Sequence, residues 1–225
     1  MDERLIPVYT NSKKDYYDKW KKHFLGVRLR EATFDKDLFI DTPNPLRESA
    51  LRYVNEWQNN RENGHSLLLY GDVGVGKSFF GACILNAILE RDINDLSRLE
   101  RKIHPMYLFV SNVDLMQQAE RQAFLAELPK YDFIFIDEFD PVMVTRGAVS
   151  FLVSLFDTIY ERKIPFVLTT NESPQSMKQN MLRDDRYTRI YDRIVHQCAK
   201  YGFITNTVSV RKELTKIERE KNKAL

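Results

Sequence analysis

The segment Gly71-Asp72-Val73-Gly74-Val75-Gly76-Lys77-Ser78 carries the sharpest chemistry in the chain. It fits the pattern G-x-x-x-x-G-K-[ST]. Its glycines let the backbone turn tightly enough for several amide N–H groups to converge on phosphate oxygens. A helix opening at Lys77 aims its positive dipole end at the same anion. Lys77 brings a charge to the terminal phosphates, Ser78 brings a hydroxyl to Mg²⁺, and Phe79 continues the nucleotide-binding set. The bland alternative is a glycine-rich turn between a strand and a helix.

Two acids close the apolar run Phe133-Ile134-Phe135-Ile136-Asp137-Glu138. A Mg²⁺·nucleotide site needs a carboxylate at the end of a strand beside the phosphate loop. Asp137 suits that role, directly or through water, and Glu138 is placed to orient or deprotonate an attacking water. Alone, such a run is an ordinary strand end entering a loop; the phosphate loop upstream makes it a site, with Asp140 a decoy acid nearby. A third apolar run, Phe166–Thr170, ends in Asn171. Asn171 either holds the water near the terminal phosphate or simply forms the turn before Glu172-Ser173-Pro174. Arg186, Arg189 and Arg193 share one side of a helical pattern. Such a row is usually a solvated face. An arginine presented there also suits a neighbouring subunit's terminal phosphate, where it would stabilise transition-state charge.

These groups need a scaffold. Five β-type runs stand out: 66–70, 106–110, 132–136, 165–170 and 206–210. The first four are nearly continuously apolar, as strands buried on both faces are. Helical patterns over 79–90, 117–128, 149–162 and 184–198 separate them. Alternating strand and helix predicts an α/β fold, a mostly parallel sheet covered on both faces. Upstream, 45–59 reads as one helix and 25–45 as irregular. The spacing of Ser12 and Asp15 suggests a capping box. It would start a Lys-rich helix with Tyr16, Trp20 and Phe24 four residues apart on one face. That aromatic stripe either docks in a partner's groove or packs on the chain's own core. The charged stretch 211–223 reads as a tail.

The 225 residues suit one domain with a small appendage, and 43% hydrophobic residues suffices for a core. Lys+Arg number 34 against 32 Asp+Glu, a net charge of +2. That balance excludes a histone-like global charge, so nucleic acid would meet a local patch. Cys83 and Cys198 each sit in an apolar run, which points to buried thiols in a reducing compartment. With no apolar signal region after Met1 and no run of transmembrane length, the expectation is a soluble, cytoplasmic protein without membrane contact. His23, His65, His104 and His196 lack metal-ligand spacing.

The order of phosphate loop, Asp-Glu strand, Thr-Asn strand and Arg-x-x-x-Arg helix resembles the AAA+ ATPases. Within them it resembles the replicative helicase loaders of the DnaC/DnaI type and the related IstB-type transposition helpers. Thr33-Phe34, Ser111-Asn112-Val113-Asp114-Leu115 and Arg189-Ile190-Tyr191-Asp192-Arg193 extend the likeness across about residues 25–212. The resemblance implies a five-stranded parallel sheet in the order 5-1-4-3-2 without a separate lid. It implies Walker A roles for Lys77 and Ser78 and Walker B roles for Asp137 and Glu138. Asn171 matches sensor 1, Arg193 the arginine finger with Arg189 one turn earlier, and Arg211 sensor 2. ATP and Mg²⁺ are the implied cofactors. The implied partners are a hexameric replicative DNA helicase and further copies of the chain assembled with ATP. Single-stranded DNA is another partner of such loaders; the segment that contacts it there corresponds to Met116–Lys130, which is short here, whereas 91–104 forms a charged insertion. The expected domains are therefore 1–25 as a partner-binding helix, 26–212 as the ATPase and 213–225 as the tail. The function expected is helicase loading, the chain being phage-encoded on account of its reduced size. The alternatives are a helper that binds duplex DNA and delivers a transposase, and an ATP-switched adaptor with little turnover.

Overall fold

The computed structural model describes residues 5–98, 101–140, 145–182 and 185–206. The α/β core begins with β1 (Leu67–Tyr70) and α5 (Lys77–Asn94). There follow β2 (Pro105–Phe109), α6 (Gln118–Glu127), β3 (Phe133–Asp137), α7 (Arg146–Glu161), β4 (Phe166–Thr170), α8 (Pro174–Met181), α9 (Asp185–Cys198) and β5 (Phe203–Thr205). Upstream lie α1 (Leu5–Phe24), α2 (Val27–Arg30), α3 (Pro45–Asn55) and α4 (Trp57–Asn63). The sheet is parallel throughout, in the order β2-β3-β4-β1-β5. That is the order implied by the resemblance. β1 and β3 are not neighbours; β4 lies between them, which draws the phosphate loop, Asp137 and Asn171 to one carboxyl edge of the sheet.

Period-2 alternation divides the core in two. Leu67, Leu69, Phe133, Phe135 and Val167 face a cluster completed by α3 and α5. Leu68, Ile134, Ile136, Phe166 and Leu168 face the opposite cluster with α7 and α9. Both sides of the sheet are covered, so the strands read as unbroken apolar runs rather than as alternating ones. Cys83 and Cys198 are buried and free, and burial raises both thiols above their ordinary range.

Beyond α2 and α8, which the sequence reading did not foresee, three elements differ from it. The helix expected over 45–59 breaks at Glu56 into α3 and α4. Carbonyls released at the break find side chains: Asn60 Nδ2 donates to Tyr53 O at 3.0 Å, and Arg91 donates to Val54 O. The fifth strand runs over Phe203–Thr205 and ends before Asn206, earlier than expected; 207–210 lie outside the described residues, as do Arg211 and the charged tail.

The third difference concerns α1. The helix is already formed at Leu5, so Ser12 lies within it and does not cap its start. Its buried seam is Lys13, Tyr17 and Trp20, with Leu25 just beyond, rather than Tyr16, Trp20 and Phe24. Trp20 is 9% exposed and belongs to the core cluster, Tyr16 is half-buried, and Phe24 keeps 41% exposure. The stripe assigned to a partner is therefore largely spent on the chain's own core. A lysine at the head of the seam hid it from a hydrophobicity pattern. Lys13 Nζ donates to Asp92 O at 2.8 Å and lies 3.3 Å from the Asp92 carboxylate. Tyr17 OH donates to the same carboxylate at 2.5 Å and accepts from Ile103 N at 2.8 Å. This buried polar knot ties α1 to the end of α5. Among the described residues no helix is long and apolar enough to cross a membrane.

Candidate nucleotide site

The loop between β1 and α5 has left-handed backbone at Gly71 (φ 131°), Gly74 (φ 91°) and Gly76 (φ 100°). A side chain at Gly71 would also put its Cβ 2.7 Å from Thr205 Oγ1, so glycine is required there on two grounds. Val75 is buried beneath the loop and fastens it to the core, while Asp72 and Val73 are exposed. Phe79, half-buried, meets the edge of Phe80 at a centroid distance of 5.2 Å.

Lys77 is 8% exposed. Its ammonium donates to Gly71 O at 2.7 Å, Asp72 O at 2.9 Å and Asn171 Oδ1 at 2.9 Å. Burial lowers its pKa, and the carboxylates of Asp137, Asp72 and Glu138 pull the other way. Since an ammonium only donates, it must face the oxygen of the Asn171 amide, which leaves the Asn171 NH₂ for other acceptors. Three groups read separately from the sequence, Lys77, Asn171 and the loop, thus meet at one point.

Asp137 forms the second centre. It is 3% exposed at the last position of β3. Its Oδ1 accepts from Ser78 Oγ at 2.8 Å and Thr169 Oγ1 at 2.5 Å, and its Oδ2 accepts from Tyr107 OH at 3.2 Å. A carboxylate beside a serine hydroxyl, at the mouth of a phosphate loop, is a donor set of the kind Mg²⁺·nucleotide takes: hard oxygens only. The residues present fit that ion. Glu138 follows with an exposed side chain and a left-handed backbone, φ 54°. A non-glycine residue there costs about 1–3 kcal/mol. Thr169 holds the turn: its hydroxyl accepts from Glu138 N at 3.0 Å, and its carbonyl accepts from Phe139 N at 2.7 Å.

Tyr107 and Thr169 were not singled out from sequence. Each lies in a strand whose run looked like core, and only the strand order brings them to Asp137. Burial, with Asp137 adding to it, raises the Tyr107 phenol, so it remains a donor.

Arg193 contacts none of these groups. Its Nε lies 2.6 Å from Asp157 Oδ1 on α7, and Arg189 Nη2 lies 2.7 Å from Asp157 Oδ2. Arg193 also donates to Arg189 O at 3.2 Å and lies 5.5 Å from the Tyr160 ring centroid. Arg186 sits at the exposed start of α9.

Comparison with known proteins agrees with this geometry. The profile of the ATPase family associated with various cellular activities (AAA) matches residues 67–193, from β1 to Arg193. The chain is 27% identical over 139 residues to the replication factor C large subunit of Picrophilus torridus. That alignment takes in 58% of this chain and 32% of the relative, so the chain spans about a third of that protein's length. The solved structure of DnaI superposes with a TM-score of 0.61 at 18% identity, covering 82% of this chain and 93% of the solved chain. The solved structure of the DnaC helicase loader superposes with a TM-score of 0.55 at 17% identity, covering 80% of this chain and 99% of the solved chain. At such identities these two superpositions establish the fold. The family match spans both the phosphate loop and the Asp137–Glu138 pair, and with them ATP hydrolysis. The chain belongs to the AAA family of ATPases.

Proposed function

We propose that this protein is an ATP-dependent loader of a hexameric replicative DNA helicase, assembling with copies of itself on ATP. The observation that carries the reading is the extent of the fold match: the phosphate loop and the Asp137–Glu138 pair lie on a core that superposes on 93% of the solved DnaI chain and 99% of the solved DnaC chain. The replication factor C relative points to the same broad process.

The chemistry follows from the site. Loop amides and the N-terminus of α5 bind the phosphates, and Lys77 neutralises charge on the terminal pair. Ser78 and Asp137 would hold Mg²⁺, which would supply charge withdrawal from the phosphate oxygens. Glu138, just past the end of β3, orients and deprotonates the water, and the Asn171 NH₂ steadies it. Arg193 enters from another copy and stabilises charge in the transition state, so turnover depends on assembly. Helicase contact is assigned to α1 through what the core leaves free: Phe24 and the lysine-bearing outer face.

The test uses Glu138→Gln protein, which binds ATP without turning it over, mixed with the purified replicative helicase of the same host. A complex in gel filtration with ATP and none with ADP supports the loader reading. Absence of a complex, with wild-type hydrolysis stimulated by duplex DNA, would replace it with a transposition helper. A Glu138→Gln protein as active in the cell as wild type would point to the ATP-switched adaptor.

A further inference from the structure

Asp157 has no place in the chemistry above, yet two arginines converge on it. It lies on α7, and one carboxylate serves both partners, Oδ1 at 2.6 Å from Arg193 Nε and Oδ2 at 2.7 Å from Arg189 Nη2. The two arginines are four residues apart on α9, a spacing at which like charges repel. Tyr160, three residues after Asp157, flanks the Arg193 guanidinium. The cluster is partly withdrawn from water, the side chains of Asp157 and Arg193 being 22% and 23% exposed. Arg189, at 57%, is the outer member.

We propose that Asp157 is a positioning residue for Arg193: it fixes the guanidinium on α9, against the repulsion of Arg189, in the direction from which it meets the nucleotide of the next copy. This rests on the reading of Arg193 as acting in trans. Three contacts restrain the guanidinium: the Asp157 ion pair at Nε, the Arg189 carbonyl at Nη1 and the tyrosine ring. Nη2 has no acceptor among the described residues, so its N–H groups are left to bind phosphate. Without Asp157, two like charges share one turn and the guanidinium samples several rotamers, an ordering cost then met at each turnover.

Mixed assemblies test this. One protein, Glu138→Gln, cannot hydrolyse ATP but donates a finger; the other, Arg193→Ala, keeps its site but lacks one. Their mixture should recover turnover that neither has alone. Adding Asp157→Ala to the Glu138→Gln donor should lower kcat of the mixture about tenfold with KM unchanged, and Asp157→Glu in the donor should restore most of it. Adding Asp157→Ala to the Arg193→Ala acceptor should not lower it. Circular dichroism and thermal melts check that each variant is folded, and Asp157→Asn replaces Asp157→Ala if that one is not. An undiminished kcat with the altered donor, or an equal loss with the altered acceptor, would overturn the assignment. A mixture that recovers no turnover even before Asp157 is changed would overturn the trans role of Arg193 and, with it, this proposal.

Discussion

Asp137 accepts hydrogen bonds from three hydroxyls supplied by three different elements: Ser78 of α5, Thr169 of β4 and Tyr107 of β2. Such a carboxylate is fixed in orientation before any ion arrives, and that preorganisation is where the neighbours matter. Tyr107→Phe removes one hydroxyl and keeps the ring. The Mg²⁺ concentration for half-maximal hydrolysis should rise about fivefold, the equivalent of one neutral hydrogen bond. Binding of a fluorescent ATP analogue in EDTA should not change. Lys77→Ala removes a charge-assisted donor, and nucleotide affinity should fall by about tenfold to a hundredfold in the same binding assay. The phosphate loop and the two acids were legible in the sequence because their chemistry is compressed into contiguous residues. Thr169 and Tyr107 were not, because a hydroxyl on an apolar strand becomes a ligand neighbour only through the strand order. Asn171 has two readings from sequence; in the fold its Oδ1 accepts from Lys77 at 2.9 Å, beside the phosphate loop.

At the scale of elements, α1 illustrates how a polar seam defeats pattern reading. Periodicity found Trp20 but placed the seam one residue off, at Tyr16 instead of Tyr17, because Lys13 is a poor signal for burial. In the fold, Lys13 is 1% exposed and Asp92 3%. Removing Asp92 leaves a buried cation without its partner, so Asp92→Ala should cost about 3–5 kcal/mol in urea denaturation. Trp20→Ala should cost a similar amount through the cavity it leaves. Either variant would detach α1 from the core rather than simply remove a partner contact. The break between α3 and α4 was equally invisible, since it depends on Asn60 and Arg91 reaching freed carbonyls. The alternation of strands and helices was legible because both sheet faces are buried.

The whole molecule joins these parts through charge as well as packing. Glu56, at the break between α3 and α4, accepts from Lys200, Arg52 and Tyr201, contacts that hold its carboxyl at about 2 against an ordinary 4.5. A depressed carboxylate contributes stability that is complete above the ordinary value and lost as pH falls toward the folded one. Denaturation midpoints should therefore decline from pH 4.5 toward pH 2, and Glu56→Gln should flatten that part of the curve. Tyr201, raised to about 12 chiefly by burial, stays protonated throughout that range. At the same scale, the proposed mechanism has one chain hold the phosphate and metal groups and take its arginine from another copy. ATP turnover per chain, measured across protein concentrations for wild type and Arg193→Ala, tests it most directly. Wild-type turnover should rise with concentration as copies assemble, while Arg193→Ala binds nucleotide normally and stays at least a hundredfold slower at every concentration. Wild-type turnover independent of concentration, or Arg193→Ala hydrolysing like wild type at high concentration, would contradict it.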